Sequence, residues 1–575
     1  MMNKFRIYIL LSVFTLSFIG LLVRLFYWQI VKGAELSQAA TGQHKNNLIL
    51  EAPRGEIFAS DGSWLASRGE LWTLTANPKE VSENPRELAD KIVGILAKDN
   101  DDLSDKKAVF EKIDKIAGLL DKKNLYWIAL ENRINGSKKK EIENLSIKGL
   151  GFEKEESRYY PEASESAHLL GFLGKNENGE SVGYFGLEGY YDEMLSGKKG
   201  YVSRDSDAGG IPILFGNFRE TKSINGIDLV TSIDKYVQFT IENKLQDGMI
   251  KYGAKAATAI VADPKTGEIL AMAVYPTFDQ SKYYKFDNSL FINPTISQSF
   301  EPGSIFKVVV MASGIDAGVV EPDTKCDICS GPLKIDKYFI KTWNNQYTAD
   351  STMTDVIVHS DNVGMSFVGR RLGADKFYDY LSSFGFGKPT GIDLQGESSP
   401  ALRKKGTWRE IDIATTSFGQ GVAVTPIQMI KAVSVIANHG LLVNPRVVKK
   451  FKNESWEYEA DKGEVKRVIL EKTAEKVTQM MVEAVQNGES KWTNLRGFSV
   501  AGKTGTAQIP IEGHYDAEKT IASFVGFAPA NDPKFIMLIT LREPESSQWA
   551  SETAAPLWFS IAKDLFLYYG IQPEN

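Results

Sequence analysis

The sequence predicts an α+β fold: an antiparallel sheet flanked by helices, standing behind an elongated N-terminal segment and one transmembrane helix. Three observations predict it. Residues 7–30 are almost unbroken apolar sequence. From residue 227 a strand, an amphipathic helix and a hairpin follow in order, and strands return near 499–508, 521–527 and 535–541 ahead of a last helix over 555–569. Helical patterns fill 355–437 between the two sets of strands, so the early and late strands are expected to close one sheet.

The apolar run from Ile7 to Ile30 makes a helix about 36 Å long, enough to cross a hydrocarbon layer. Arg24 falls near its far end, where the stem can snorkel, and Tyr27 and Trp28 suit the interface. Lys4 and Arg6 precede the span, which keeps the short N-terminus in the cytoplasm. WQIVKGAEL follows the run in place of a small-x-small cleavage site, favouring a retained anchor over a cleaved signal peptide. The division expected is a tail over 1–6, an anchor over 7–30, an N-terminal domain over 31–225 and a large domain over 226–575, extracytoplasmic from about residue 31.

Within 31–225, Ala52–Gly62 reads as a strand entering an Asp-Gly turn. Residues 85–120 show helical spacing, with Val109, Phe110, Ile113, Ile116, Leu119 and Leu120 as the apolar face. Lys138–Lys140 is read as a solvated helix face or loop. RYYPEASESAHLLGFLG and GYFGLEGYYDEMLSGKKGY, rich in glycine and aromatics, are expected as turns packed on a surface, with His168 and Glu188 as satisfied structural groups.

A formal net charge of -6 gives no electrostatic support to nucleic-acid binding. Cys326 and Cys329 are two thiols where a structural zinc site takes four ligands, and the five histidines, His44, His168, His359, His439 and His514, show no ligand spacing. No metal is expected. The cysteines suit a local disulfide, a redox pair or two thiols in a loop.

The chemistry centres on EPGSIFKVVV. Pro302-Gly303 signals a turn, an apolar helix follows, and Lys307 falls one turn after Ser304 on the same face. A hydroxyl with an amine beside it can serve as an acyl-transfer nucleophile and its base. Ser-x-x-Lys alone is uninformative, since it recurs at Ser104/Lys107, Ser137/Lys140, Ser196/Lys199, Ser232/Lys235 and Ser560/Lys563. Two motifs follow in order: HSDNVGM with Ser360, Asp361 and Asn362, and AGKTGTAQ with Lys503, Thr504, Gly505 and Thr506. Lys265-Thr266-Gly267 repeats the last motif but reads as a hairpin tip, and GFGKPTG at 385–391 as a turn after a helix.

The ordered triplet Ser-x-x-Lys, Ser-x-Asn, Lys-Thr-Gly is the signature of penicillin-binding proteins and serine β-lactamases. With Arg54-Gly55, RYYP, AHLLGF, GLEGYYDEMLSG, SFGQGVAVTPIQ and SFVGFAPANDP, the chain resembles class B penicillin-binding proteins along nearly its whole length. It departs from them at Ala59-Ser60, where the family continues with Asp-Arg, which questions the hydrogen bonding of that segment. The resemblance implies a penicillin-binding transpeptidase domain on a dimerisation-like pedestal, at the bacterial inner membrane. It implies that Ser304 attacks the D-Ala-D-Ala end of a peptidoglycan stem peptide and that β-lactams mimic this donor. No cofactor is implied, and a polytopic membrane glycosyltransferase and other cell-wall synthesis proteins are the expected partners.

Lys307 must be tuned down from about 10.4 to act as a base, by burial or by a second ammonium, for which Lys503 is the candidate. Ser360 can relay a proton, and Asn362 can hold Lys307 and donate to the substrate. Gly505 lets a substrate backbone approach the strand, and Thr504 and Thr506 present hydroxyls to a carboxylate. The resemblance adds an oxyanion hole from the N–H groups of Ser304 and Thr506. A β-lactamase is the first rival, but Glu397 is followed by SSPAL and not by the class A pattern. A D,D-carboxypeptidase uses the same triplet. A receptor or scaffold is disfavoured by the complete motif set and the short stretch before the anchor. Chain length leans towards a division role over elongation.

Overall fold

The computed structural model describes residues 2–36, 45–98, 105–161, 165–205, 218–511 and 514–574; His44 lies outside them. The chain forms two compact units, Met1–Arg54 with Ser196–Gly226, and Gly55–Leu195 with Ile227–Asn575.

In the first unit a helix over Met2–Phe26 continues as one π-helical turn over Tyr27–Val31. An 18-residue window within its Lys4–Val31 stretch has a mean hydropathy of 2.3, and the helix is long and apolar enough to cross a membrane. Apolar side chains are exposed all round it, Phe14, Leu16 and Phe18 among them, as a lipid-facing helix requires. The same unit holds an antiparallel sheet in the order Lys45–Leu50, Gly200–Asp205, Phe218–Thr221.

The second unit opens with the hairpin Ile57–Phe58 and Trp64–Ala76, which pairs through Ile57–Phe58 with the parallel strand Asp228–Thr231. This sheet therefore ties residues before 195 to residues after 227. The departure at Ala59-Ser60 is absorbed by main chain. Ala59 N–H donates to Ser63 O (2.8 Å) and Ser60 N–H to Ile233 O (2.9 Å), and Ala59 is fully buried. The turn needs no side-chain partner at either position.

The 85–120 region is two helices, Pro85–Leu96 and Lys106–Leu120. Ile113, Ile116 and Leu120 pack with Leu88 and Ile92, whereas Phe110 is exposed. It lies one step round the helix from the 109/113/116/120 stripe, so the predicted face was a residue too wide. Lys138–Lys140 sits on the helix Gly136–Glu143; there Lys138 Nζ donates to Leu96 O (2.8 Å) and Lys139 pairs with Glu143 (2.8 Å).

The two glycine- and aromatic-rich motifs each put a buried segment into the interior, 166–172 and 186–188, while Tyr159, Tyr190 and Tyr201 stay exposed. Phe172 joins Phe278 and Phe291 in a buried cluster. His168 bonds Leu290 O through Nε2 at 2.8 Å, and burial pushes its pKa down to about 4, against the raising effect of that bond. Arg158 Nε donates to Glu188 Oε1 at 2.6 Å, with side chains 2% and 0% exposed, and Arg158 Nη1 donates to Gly55 O at 2.7 Å. Removing one member strands the other charge in the interior. Glu188→Ala is therefore expected to cost about 3–5 kcal/mol, read as a lower midpoint in chemical denaturation; an unchanged midpoint would contradict it.

The second sheet runs Ile269–Tyr275, Ala256–Ala262, Phe535–Arg542, His514–Ala528, Ala501–Ile511, antiparallel throughout. The early hairpin and the late strands do close one sheet. Its two-residue period divides the interior: Met537, Ile539 and Leu541 face the helices Lys235–Tyr252 and Ala554–Tyr568, while Ile536 and Leu538 join the opposite core with Val308 and Met311. Trp558 is fully buried and donates Nε1 to Met537 O (2.9 Å). Cys326 and Cys329 form a disulfide and are both buried.

Candidate active site

Ser304 lies in a 3-10 turn, Gly303–Phe306, which runs directly into the helix Lys307–Asp316. That helix is buried from Lys307 to Ile315, which explains its nearly all-apolar sequence and places an ammonium in the core. Lys307 Nζ donates to Ser360 O (2.6 Å), Ser360 Oγ (3.1 Å) and Asn362 Oδ1 (2.8 Å). Asn362 in turn donates Nδ2 to Lys341 O (3.0 Å). Asp361 between them caps the helix Asn362–Ser383, accepting from Val363 N–H (2.7 Å) and Gly364 N–H (3.1 Å).

Burial pushes the Lys307 pKa well below its ordinary value, and the positive charge of Lys503 pushes it the same way; Asp361 and Glu489 oppose them. Lys503 is itself buried and lowered, with Glu489 opposing. Its Nζ donates to Thr504 O and Thr504 Oγ1, both at 3.3 Å. Burial and a second ammonium, the two influences expected from sequence, both push the Lys307 pKa down.

Ser304, Ser360, Asn362, Thr504 and Thr506 line one open cleft of about 280 Å³. Thr504 and Thr506 alternate towards it along the edge strand Ala501–Ile511, and Gly505 faces the other way. A Cβ on Gly505 would stand 2.8 Å from Ile305 Cγ2 and 3.0 Å from Ile305 N. The glycine thus admits the backbone of the Ser304 turn, a different close approach from the one expected. Gly505→Ala should displace that turn and slow acylation on the order of 10-fold or more; equal labelling rates in variant and parent would refute this.

The structure gives SFGQG a local role too. Gly303 N–H donates to Gly419 O (3.1 Å), Phe300 and Val424 exchange both main-chain bonds, and Glu301 Oε1 accepts from Gly421 N–H (2.9 Å). A side chain at Gly419, where φ is +81°, would fall 2.1 Å from Gly303 O. Sequence reasoning missed Glu489, which lines the cleft within 3.4 Å of Thr504 Oγ1. It also missed Trp343 and Trp549, whose rings meet edge-on at 5.3 Å along the cleft. None of the three lies in a spaced motif, so no pattern marked them.

A buried lysine of lowered pKa, bonded to a serine hydroxyl and an amide beside a second serine, is the apparatus of serine acyl transfer. This defines a serine acyltransferase of the penicillin-recognising fold. The penicillin binding protein transpeptidase domain matches residues 257–566 and the penicillin-binding protein dimerisation domain residues 49–231. Stage V sporulation protein D of Bacillus subtilis is 33% identical over 558 residues, covering 96% of this chain and 84% of that protein. Penicillin-binding protein PbpB of Mycolicibacterium smegmatis is 30% identical over 585 residues, covering 96% and 88%. Among solved structures, penicillin-binding protein 3 of Mycobacterium tuberculosis with aztreonam is similar at a TM-score of 0.70 and 26% identity, covering 92% of this chain and 98% of that one. Penicillin-binding protein 2X of Streptococcus thermophilus is similar at 0.72 and 26%, covering 92% and 83%. The chain belongs to the class B penicillin-binding proteins.

Proposed function

We propose that Ser304 is the nucleophile of this enzyme and Lys307 its base. The enzyme is a peptidoglycan D,D-transpeptidase that binds β-lactams and acts in cell-wall synthesis. The observation that supports the assignment is the buried Lys307 amine, bonded to Ser360 and Asn362 at the foot of the Ser304 turn.

In this reading Lys307, neutral, takes the Ser304 proton as Oγ attacks the penultimate D-Ala carbonyl. The N–H groups of Ser304 and Thr506 receive the oxyanion, a donor being worth about 3 kcal/mol in comparable sites. The C–N bond then breaks and the terminal D-Ala leaves as the amine, protonated through Ser360 from Lys307. Burial lowers the Lys307 pKa and the Lys503 charge adds to it, while Asn362 orients Lys307 and the substrate. Thr504 and Thr506 face the terminal carboxylate beside Gly505. The acyl-enzyme is resolved by an acceptor stem's amine, which gives up a proton as Ser304 regains one.

Labelling the detergent-purified full chain with fluorescent penicillin and supplying donor and acceptor peptides tests this. A long-lived adduct and a cross-linked product are expected. Rapid loss of label with hydrolysed drug would indicate a β-lactamase, and D-Ala release without cross-links a carboxypeptidase.

We further infer that residues 7–30 anchor the chain in the bacterial inner membrane, with the pedestal over 31–225 and the catalytic domain over 226–575 outside. A polytopic glycosyltransferase would engage the anchor and pedestal. Its failure to co-purify from membranes with the wild-type anchor would count against that partner.

A further inference from the structure

The cleft wall carries a carboxylate that the reaction above does not use. Glu489 follows the helix Glu471–Asn487 and faces the cleft beside Thr504. The Thr504 hydroxyl donates to Glu489 Oε2 at 3.4 Å and accepts from Lys503 Nζ at 3.3 Å. A threonine hydroxyl has one proton, and here Glu489 takes it. Thr506 differs: its Oγ1 accepts from Ala550 N–H at 3.0 Å, which leaves its proton to give to a ligand.

We propose that Glu489 is a specificity-determining residue, which opposes ligand carboxylates at the Thr504 end of the cleft and so ranks donors and β-lactams by the charge they present there. The proposal rests on the reading of Thr504 and Thr506 as the carboxylate-facing pair. Two effects act together. The Glu489 carboxylate repels a second anion across a short distance, and it competes for the single Thr504 proton. The charges that act on Lys307 are those of Lys503, Asp361 and Glu489, and Glu489 also acts on Lys503. Glu489 raises the pKa of both lysines against their burial. Removing its charge therefore releases the proton of Lys307 at lower pH, and the acid limb of acylation moves down the pH scale.

The test compares second-order acylation of the full chain by benzylpenicillin and by its methyl ester, in wild type, Glu489→Gln and Glu489→Asp. Glu489→Gln should raise the acid-to-ester rate ratio about tenfold once screening in the open cleft is allowed for, and shift the acid limb down. Glu489→Asp, which keeps the charge, should stay near the wild-type ratio. In the wild type alone, added salt should speed acylation by the acid relative to the ester, a readout that needs no variant to fold. An unchanged ratio in Glu489→Gln, an equal rise in Glu489→Asp, or no salt effect would overturn the proposal and leave the transpeptidase reading intact. Failure of both ligands to label the wild type, with no D-Ala release from a donor peptide, would overturn both.

Discussion

Alanine at Ser304 is expected to reduce D-Ala release from a donor peptide by on the order of 10⁴-fold or more. The side chain removed is one hydroxyl at a half-buried position on the cleft wall. The turn that carries it is held by main chain, with Gly303 N–H on Gly419 O at 3.1 Å. Folding and ligand binding should survive while bond formation is lost, so the variant should still melt cooperatively near the wild-type temperature. Retained release by a folded variant would move the nucleophile elsewhere, with Ser360 the next candidate.

Lys307→Ala is expected to slow acylation about 10³-fold and to remove the acid limb of its pH profile. In the proposed assignment Lys307 works as the neutral amine, so the wild-type rate should rise with pH through the Lys307 pKa. Burial and the Lys503 charge hold that pKa well below its ordinary value. The limb should accordingly lie well below the range of a free lysine and be absent from the variant. Stability follows the same sign. Between the folded and unfolded pKa values the unfolded chain binds more protons, so stability falls as pH drops through the folded value. Acylation rates by stopped flow between pH 5 and 10 would check this, and an identical profile in the variant would refute it.

The apolar N-terminal helix, the closed sheet and the ordered motifs were legible because each is a local pattern with a fixed period or spacing. An apolar run of membrane length, two-residue alternation and Ser-x-x-Lys on one helical turn survive translation into structure almost unchanged. The helix Glu471–Asn487, which carries Glu489 to the cleft, drew no attention because its sequence is ordinary for an amphipathic helix. Trp343 and Trp549 are 206 positions apart, and only the tertiary fold brings their rings to 5.3 Å. Gly505 was expected to admit a substrate backbone, but what a side chain there would meet is Ile305 of the Ser304 turn, a partner that spacing cannot name. Phe110 failed for the opposite reason: helical periodicity admitted a flanking residue that the packing leaves in solvent. The buried ion pair Arg158–Glu188 joins two motifs that looked like surface turns, since charge in a sequence says nothing of burial until its partner is placed.

Peptide mapping by mass spectrometry of the wild-type chain after reaction with benzylpenicillin would be decisive. One intact penicilloyl group should be found on the peptide containing Ser304, fragmenting to that residue and persisting for hours. An adduct on Ser360 or any other residue, or a folded chain that turns over its donor peptide with no adduct at Ser304, would contradict the assignment.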